Sequence, residues 1–547
     1  MKTARKYLAI ALAFLLSVLS VPANANESAV PTRLVRDEVV IDDDPEGGYE
    51  GDYVVIYNPG DSAFLSTGTL ADKIIHSVNT YTPANCCEPE LPGITECCAT
   101  DSFVTEEDRE FFEKGLLNAE PARTDYPVGS TKTWIMGNHN PDGNGADIEF
   151  KVLYIGEHCR IWTPVDGGPN DNYYPLDEID GSYAELIAAS FDLKYDLMTS
   201  RFGNFSDLNG DGKVNLLFHK IKDNSIAGYF SGSDLTKNKL PAVHIDTWKN
   251  FLASGAPGMG FVYTVTEHEF QHLISYSNTG GMIPWLDESL ANAAEAICSS
   301  KRIASRIYEW TGYYYEGGNM PEAEYNQYSS QHNGKSIVYW QTENQCYALG
   351  MLFAQFLYTR SGSVDIYKTL IENYNTSGDS SGAKFVASKL GLSAYEMWTE
   401  FIKCVTVNSP SAGYGFAVPD YYDPAENNGV EDPFSRLCPV VYTGRSAKTI
   451  SSYGGFITVK PVGGVYVPPS DASASLKYFG IKIVFPEPDG DADGNGTVEA
   501  ADALLILRYY MSLLDNGVNV EACDVNGDGK VDAIDALIVL RKAMGIT

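Results

Sequence analysis

Alternating apolar and polar positions predict an antiparallel sheet in the second quarter of the chain. The alternation begins near Thr131 and continues through residues 148–155 and 160–163. Residues 138–147, which separate the first two runs, are rich in Asn, Gly and Asp, as is typical of turns between antiparallel strands. We therefore expect a sheet that starts near Thr131.

Helical periodicity follows this sheet, and further strands come after it. Residues 183–198 carry apolar side chains at helical spacing and predict an amphipathic helix. Residues 216–221 predict another strand, and residues 242–246 predict an edge-like strand. The chain then becomes mostly helical, most clearly at 348–359 and 364–374. Strands followed by a run of helices predict an α+β fold.

The pattern changes again near both ends of the chain. Short alternating runs return at 440–485 and predict a small β-rich subdomain, which a short linker at 486–490 separates from a C-terminal module at 491–547. The region 26–105 is acidic and rich in Pro, Gly and Asp, which favours a loosely packed N-terminal extension or pro-region. The main domain is then expected at 106–439.

The N-terminal segment and the composition predict an exported protein. Residues 1–25 have a basic start, an apolar run and the small-residue site Ala23-Asn24-Ala25, and predict a secretory signal peptide. The net charge is −33, which argues against nucleic acid or a membrane as partner. Ten cysteines are compatible with export. Two adjacent pairs, Cys86-Cys87 and Cys97-Cys98, lack the spacing of zinc ribbons, which favours disulfides or free thiols.

One five-residue segment carries the sharpest chemical signal. His268, Glu269 and His272 have the spacing HExxH, and Glu288 follows sixteen residues after His272. On a helix the two histidines project from one face and can hold one zinc ion, while Glu269 can take a proton from water. Glu288 falls on the polar face of a second predicted helix and is the preferred third ligand. The sequence thus predicts one catalytic zinc ion.

Two alternatives to this zinc assignment stay open. Glu295 lies on the same helix face as Glu288 and is a rival third ligand, whereas Asn292 is placed to orient a ligand histidine. The second alternative is a purely structural role, in which a buried helix carries histidines that hydrogen-bond internally. The other six histidines have no comparable setting and are expected to be surface or core residues: His76, His139, His158, His219, His244 and His332.

The C-terminal module contains an internal repeat with calcium-ligand spacing. Ten positions recur at an offset of 33 residues, and each copy runs from an Asp-rich loop into an apolar helix. The repeat predicts two calcium ions. Asp207, Asn209 and Asp211 form a similar loop before a strand, but Phe218 takes its twelfth position, so a third calcium ion or a plain Asx turn are both open there.

The segment around HExxH resembles a known family. HEFQH followed by Trp-Leu-Asp-Glu-Ser is similar to the hyicolysin-like zinc metallopeptidases of the thermolysin-like group, over about residues 131–374. The resemblance implies a thermolysin-like fold and a protein or peptide substrate cleaved as by an endopeptidase rather than an aminopeptidase. It also implies zinc on His268, His272 and Glu288, with Glu269 as general base. Tyr347 matches a Tyr-x-x-Gly motif whose tyrosine stabilises the oxyanion in related aminopeptidases.

The repeat at 489–547 resembles a type I dockerin. This resemblance implies docking onto a cohesin module of a multi-enzyme scaffold, as in a cellulosome, and hence an extracellular, scaffold-associated location. It assigns one calcium ion to each copy, with the ligands Asp491, Asp493, Asn495, Thr497 and Asp502 in the first and Asp524, Asn526, Asp528, Lys530 and Asp535 in the second.

These patterns leave three function hypotheses. The leading one is a secreted, scaffold-tethered zinc peptidase. A non-catalytic adhesin or binding protein that kept a degenerate peptidase fold is the second. A glycoside hydrolase is the third, and it ranks last because HExxH has no purpose in that chemistry.

Overall fold

A computed structural model describes most of the chain and divides it into two units, which are treated separately below. The residues it describes are 39–43, 47–61, 63–75, 104–115, 125–136, 147–165, 182–221, 226–247, 259–311, 334–341, 344–410, 412–427, 429–437, 439–483, 488–494, 497–513, 518–526 and 530–546. The predicted signal peptide, the predicted turn up to residue 146, both adjacent cysteine pairs, His76, His139 and His332 lie outside these ranges. The five described cysteines, Cys159, Cys298, Cys346, Cys404 and Cys523, are buried.

A six-stranded mixed sheet forms the centre of the larger unit. Its strands are β5 (Thr131–Trp134), β6 (Ile148–Ile155), β7 (Cys159–Pro164), β8 (Val214–His219), β9 (Gly228–Phe230) and β10 (Ala242–Asp246). Their spatial order is β5-β6-β7-β8-β10-β9, in which β7–β8 and β8–β10 are parallel pairs and the others are antiparallel. The predicted antiparallel start of this sheet is confirmed.

One face of this sheet packs against two long helices, α2 (Ser182–Phe202) and α3 (Met259–Thr279). Side chains alternate between the two faces along each strand. Leu216 of β8 and Val243 of β10 accordingly enter the helix-side core, whereas the next residue in β8, Leu217, enters a separate cluster on the other face. The amphipathic helix predicted at 183–198 is therefore confirmed.

The edge of the sheet differs from the sequence prediction. β10 was expected to lie at an edge, but it is interior, because β9 pairs with its outer side. β9 has only three residues, too few for alternation to reveal a strand. This short strand matters because it lies beside α3.

Helices cover the rest of the larger unit: α1 (Glu106–Glu113), α4 (Pro284–Cys298), α5 (Lys301–Thr311), α6 (Asn344–Ser361), α7 (Asp365–Glu372), α8 (Ala383–Lys389) and α9 (Ala394–Val407). α6 and α7 confirm the two helices predicted at 348–359 and 364–374. The turn between α3 and α4 requires glycine at Gly280, which has φ +73° and where a Cβ would collide with Phe112. Pro284 then starts α4 at the first helical position, which suits its fixed φ.

A second sheet joins the two ends of this unit. Its strands are β1 (Val39–Asp42), β3 (Tyr53–Asn58), β12 (Gly455–Val459) and β14 (Lys477–Ile483). Their order is β1-β14-β3-β12, and all the pairs are antiparallel. Two short ribbons repeat this pairing of early with late residues, β2 (Tyr49–Glu50) with β13 (Val465–Tyr466) and β4 (Leu65–Ser66) with β11 (Thr449–Ile450).

This sheet corrects the expectation of a loosely packed N-terminal extension. β3 lies between two strands of the predicted β-rich subdomain, and Val54, Val55 and Ile56 are completely buried. Lys403 of α9 also donates to Asp43 at 2.9 Å, next to the end of β1. Strands from 39–58 and 455–483 thus form one sheet.

We expect Val55→Asp to destabilise the protein by about 3–5 kcal/mol, because an unpaired carboxylate would be buried in the central strand of this sheet. Val40→Asp is the matched control, since Val40 lies in β1 and is 54% exposed. Denaturant unfolding of both variants measures the difference. Equal unfolding free energies would show that β3 is dispensable to the folded body.

The smaller unit contains residues 488–546. It pairs α10 (Ala500–Tyr510) with α11 (Ala533–Ala543) around a small core that includes Ile506, Leu507, Val539 and Leu540. Each helix follows one copy of the Asp-rich loop, as predicted from the repeat. None of the described helices in either unit combines the length and apolar character needed to cross a membrane.

Candidate metal centre and dockerin loops

The two histidines of HExxH lie on one face of α3 and are buried. His268 is 5% exposed and His272 is 1% exposed. Their ring centroids are 4.9 Å apart, as expected for residues one helical turn apart. The face opposite them, which includes Phe270 and Ile274, packs into the core beneath the sheet.

Glu288 of α4 completes a cluster with these histidines. Its Oε2 lies 3.1 Å from His268 Nε2, and its Oε1 lies 3.8 Å from His272 Nε2. One ligand atom from each of the three side chains falls within 4.8 Å of the others. The structure thus brings together the three residues that the sequence proposes as zinc ligands.

The remaining nitrogen of each histidine faces a different carboxylate. His268 Nδ1 lies 2.7 Å from Glu295 Oε1, and His272 Nδ1 lies 3.0 Å from Asp287 Oδ2. A carboxylate on Nδ1 fixes the ring and turns the lone pair of Nε2 towards a metal. Both Nε2 atoms point to the Glu288 side, so this donor set fits a single cation of the zinc type.

This arrangement favours Glu288 over Glu295 as the candidate third ligand. Glu295 was the rival third ligand, but it lies against the nitrogen of His268 that faces away from Glu288. Asn292 was expected to orient a histidine, yet its Nδ2 donates to the backbone oxygen of Glu288. Asp287 and Glu295 occupy the orienting positions instead.

Two arginines behind the site were missed at the sequence level. Arg302 and Arg306 of α5 both bind Glu295 and are 4% and 1% exposed. Their spacing of four residues places them on one face of the helix, as it does the two histidines. Paired arginines on an amphipathic helix are usually solvated, so only the tertiary packing reveals their partner.

The carboxylates give this cluster a strong demand for positive charge. Burial lowers the pKa of His268, but Glu288 and Glu295 outweigh it and raise this pKa well above its usual value. Burial also lowers the pKa of His272, but Asp287 and Glu288 outweigh it and raise this pKa to about 9. Without a metal both rings would hold protons, which a bound cation would displace.

Glu269 lies where α3 meets the edge strand. Its side chain is 1% exposed. A Cβ on Gly228 of β9 would lie 3.0 Å from Glu269 Cγ and 2.6 Å from Val265 Cγ1. Glycine therefore permits the close approach of β9 to α3, and β9 borders the proposed general base.

Tyr347 lies close to the same cluster. It is 1% exposed, and its ring centroid is 6.2 Å from that of His268. Trp340 packs edge-on against it at 5.1 Å. Three residues further along α6, Gly350 faces Ser289 of α4, where a Cβ would be 3.4 Å from its Oγ. The Tyr-x-x-Gly motif thus belongs to the contact between α6 and the ligand-bearing helix.

The loop at 207–215 forms a tight Asx-type turn. Asp207 accepts from the backbone N–H groups of Gly210 and Gly212 at 2.9 and 2.8 Å. Asp211 pairs with the buried Arg160 at 2.8 Å, and Asn209 is 2% exposed. Arg160 already supplies a positive charge here, and a calcium ion in this loop stays a prediction.

The first C-terminal loop gathers its acidic residues around one point. Ligand oxygens of Asp491, Asp493 and Asp502 fall within 4.8 Å of one another. Asp502 is fully buried and accepts from the N–H groups of Ala492 at 2.9 Å and Glu499 at 2.8 Å. Its carboxylate therefore ties both ends of the loop together. Thr497 is described, whereas Asn495 lies outside the described residues.

The second loop repeats this arrangement. Asp535 is fully buried and accepts from the N–H groups of Asn526 at 3.3 Å and Asp532 at 2.9 Å. Asp524 and Lys530 are described, but Asp528 lies outside the described residues. Asp502 and Asp535 hence have equivalent positions in the two copies.

A buried histidine pair was also missed. His219 Nε2 lies 3.0 Å from His244 Nδ1, and His244 Nε2 lies 2.9 Å from Asp234 Oδ2. The expectation of a core residue holds for both. His158 stacks on Tyr195 with ring centroids 3.9 Å apart.

Comparison with known proteins supports the division into two parts. Residues 489–542 match the family model described as the dockerin type I domain. The chain ends in a dockerin. The chain is also 30% identical over 300 residues to the neutral metalloprotease ShpI of Staphylococcus hyicus, an alignment that covers 49% of this chain.

The match to this relative is partial on both sides. It covers 60% of the length of the relative. About half of the present chain is therefore homologous to a metalloprotease, and a type I dockerin follows at its C-terminal end. The resemblance to metallopeptidases and dockerins inferred from the motifs is confirmed.

Proposed function

We propose that this protein is a secreted zinc-dependent endopeptidase tethered to a cohesin-bearing scaffold through its dockerin. The observation that carries the proposal is the convergence of His268, His272 and Glu288, with both histidines oriented by carboxylates. The homology to a neutral metalloprotease supports the same reaction class. We further propose that the larger unit has a thermolysin-like arrangement.

The proposed roles follow from the positions of the side chains. His268, His272 and Glu288 would hold one zinc ion, which when bound supplies a Lewis acid and lowers the pKa of the attacking water. Glu269 accepts the proton of that water and delivers it to the leaving amine. Tyr347 is assigned to donate a hydrogen bond to the developing oxyanion.

The dockerin is proposed to bind two calcium ions and then a cohesin module. The first loop supplies Asp491, Asp493 and Asp502, and Asp535 has the equivalent closing position in the second. Several large apolar side chains of this unit are at least 44% exposed and offer a surface for a protein partner. They are Leu504, Tyr510, Leu513, Ile534 and Leu537.

Metal removal and replacement tests the enzymatic proposal. Purified full-length protein is expected to contain about one zinc ion per chain and to hydrolyse casein. A phenanthroline chelator should abolish hydrolysis, and zinc but not magnesium should restore it, because nitrogen ligands favour zinc. Zinc analysis by mass spectrometry and a casein assay provide the two readouts.

Alanine substitution of two different histidines gives the matched comparison. His272→Ala should lose both zinc and hydrolysis, whereas His158→Ala, at a side chain that stacks on Tyr195, should keep both. Hydrolysis that persists in the zinc-free protein, or in folded His272→Ala, would refute the proposal and favour a different catalytic centre.

A further inference from the structure

A buried ionic cluster stands behind His268. Glu295 Oε2 accepts from Arg302 Nε at 3.0 Å and from Arg306 Nη2 at 3.2 Å, while Glu295 Oε1 faces His268 Nδ1. The side chains of Glu295 and Arg306 are 2% and 1% exposed. Charges this deep persist only when they are paired and hydrogen-bonded.

Arg306 reaches beyond this carboxylate. Its guanidinium carbon lies 5.2 Å from the ring centroid of Tyr347, and its Nη1 donates to Glu309 at 2.9 Å. One side chain therefore contacts both the residue that orients His268 and the ring of Tyr347. These two contacts link α5 to both parts of the proposed site.

We propose that Arg306 is a positioning residue that holds His268, through Glu295, and Tyr347 in register with each other. The inference rests on the proposed peptidase function and deepens it. Arg306 acts on the proposed site through Glu295 and the ring of Tyr347 and is not one of the three proposed metal ligands. It fixes the tautomer of His268 by keeping Glu295 in place as an acceptor, and it fixes the phenol by packing on its ring.

The hydrogen bonds agree with this role. Arg302 and Arg306 both donate to Glu295 and hold its carboxylate against His268. Its Oε1 lies 2.7 Å from His268 Nδ1 and accepts the Nδ1 proton there. The lone pair of Nε2 is then free to face Glu288.

Arginine suits this position better than lysine does. Its planar fork donates to Glu295 and Glu309 while its guanidinium carbon lies over the ring of Tyr347 at 5.2 Å. An ammonium keeps the charge but cannot donate in this fork and cover the ring at the same time. Arg306→Lys consequently separates geometry from charge.

The test compares Arg306→Lys with Arg201→Lys in the full-length protein. Arg201 is a partly exposed arginine of α2 that pairs with Asp365. Arg306→Lys should weaken zinc affinity about 10–100-fold in chelator competition and change the visible spectrum of the cobalt-substituted protein. Its kcat should fall about 10–100-fold with little change in KM, since misplaced groups lose transition-state stabilisation. Arg201→Lys should match wild type in all four.

A double-mutant cycle tests the link to Tyr347. If Arg306 acts through this phenol, the losses in kcat for Arg306→Lys and Tyr347→Phe should be strongly non-additive. Additive losses, or a folded Arg306→Lys with wild-type zinc affinity and cobalt spectrum, would overturn the inference. If Arg306→Lys does not fold, Glu295→Gln tests the same link, and unchanged zinc affinity there would also overturn it.

Failure of the inference can be separated from failure of the proposed function. Wild-type protein that binds no zinc and cleaves no casein would remove the basis for both. Wild-type protein that does both, beside an Arg306→Lys variant with unaltered metal properties, would overturn only the positioning role.

Discussion

The Glu269→Gln variant should keep its zinc and lose about 10²–10⁴-fold in casein turnover, the range that general acid–base catalysis contributes. Glutamine has the shape of glutamate but cannot accept the proton of the attacking water. Glu269 lies outside the three-residue cluster of proposed ligands, so the metal content should not change. Zinc analysis and kcat, measured on the same preparation, give the result.

Packing around Glu269 makes an isosteric change important. Its Cγ lies against Gly228 of β9, and the side chain is 1% exposed. A shorter residue would leave a cavity between α3 and the edge strand and lower stability. Glutamine avoids this cavity, so a loss of turnover reports on chemistry.

The same helix offers a control two residues earlier. Burial raises the pKa of Glu267 to about 8, even though Lys194 lowers it. Most of this carboxyl is then protonated at pH 7, and glutamine imitates the protonated form. Glu267→Gln should therefore retain most of the turnover. If Glu269→Gln were as active as this control, the general base would have to be another residue.

The sequence predicted the local parts of this structure well, because periodicity reports which face of an element is buried. The strands at 148–155 and 159–164, the helix at 182–202 and the helices at 344–361 and 365–372 follow from it. Pairing between β3 and β12 or β14 joins residues about 400 positions apart, and no local pattern specifies such a partner. The sequence therefore did not reveal that residues 39–58 pack into a buried sheet.

The site likewise has features that the local sequence predicts and features that depend on tertiary packing. Helical spacing groups His268 with His272, and it singles out Glu288 on the next helix. Whether Glu288 or Glu295 faces the Nε2 atoms of the two histidines depends on how α4 crosses α3. The sequence favoured Glu288 with Glu295 as its rival, and the packing places Glu295 behind His268. The contacts of Arg306 could not be predicted from the sequence, because Glu295 and Tyr347 belong to two other helices.

Removing the closing aspartates of both dockerin loops should abolish cohesin binding. In the Asp502→Asn, Asp535→Asn double variant each loop loses a buried proposed ligand and gains an amide group. That amide meets backbone N–H groups that now bond to a carboxylate. The helix pair has a small core, so we expect metal binding to supply much of its folding free energy. Calcium content, far-ultraviolet circular dichroism and cohesin affinity should all fall, the last by about 10³-fold or more.

The control for this variant lies three residues before Asp535. Asp532 caps α11 by accepting from Ile534 N–H at 2.6 Å, and asparagine caps helices about as well as aspartate. Asp532→Asn should therefore keep calcium and cohesin binding. In the double variant, zinc content and casein turnover should remain at the wild-type level, because the proposed zinc ligands all belong to the other unit. Cohesin binding that survived the loss of both calcium ions would show that the helix pair folds without metal, and the calcium-dependent tether would then be wrong.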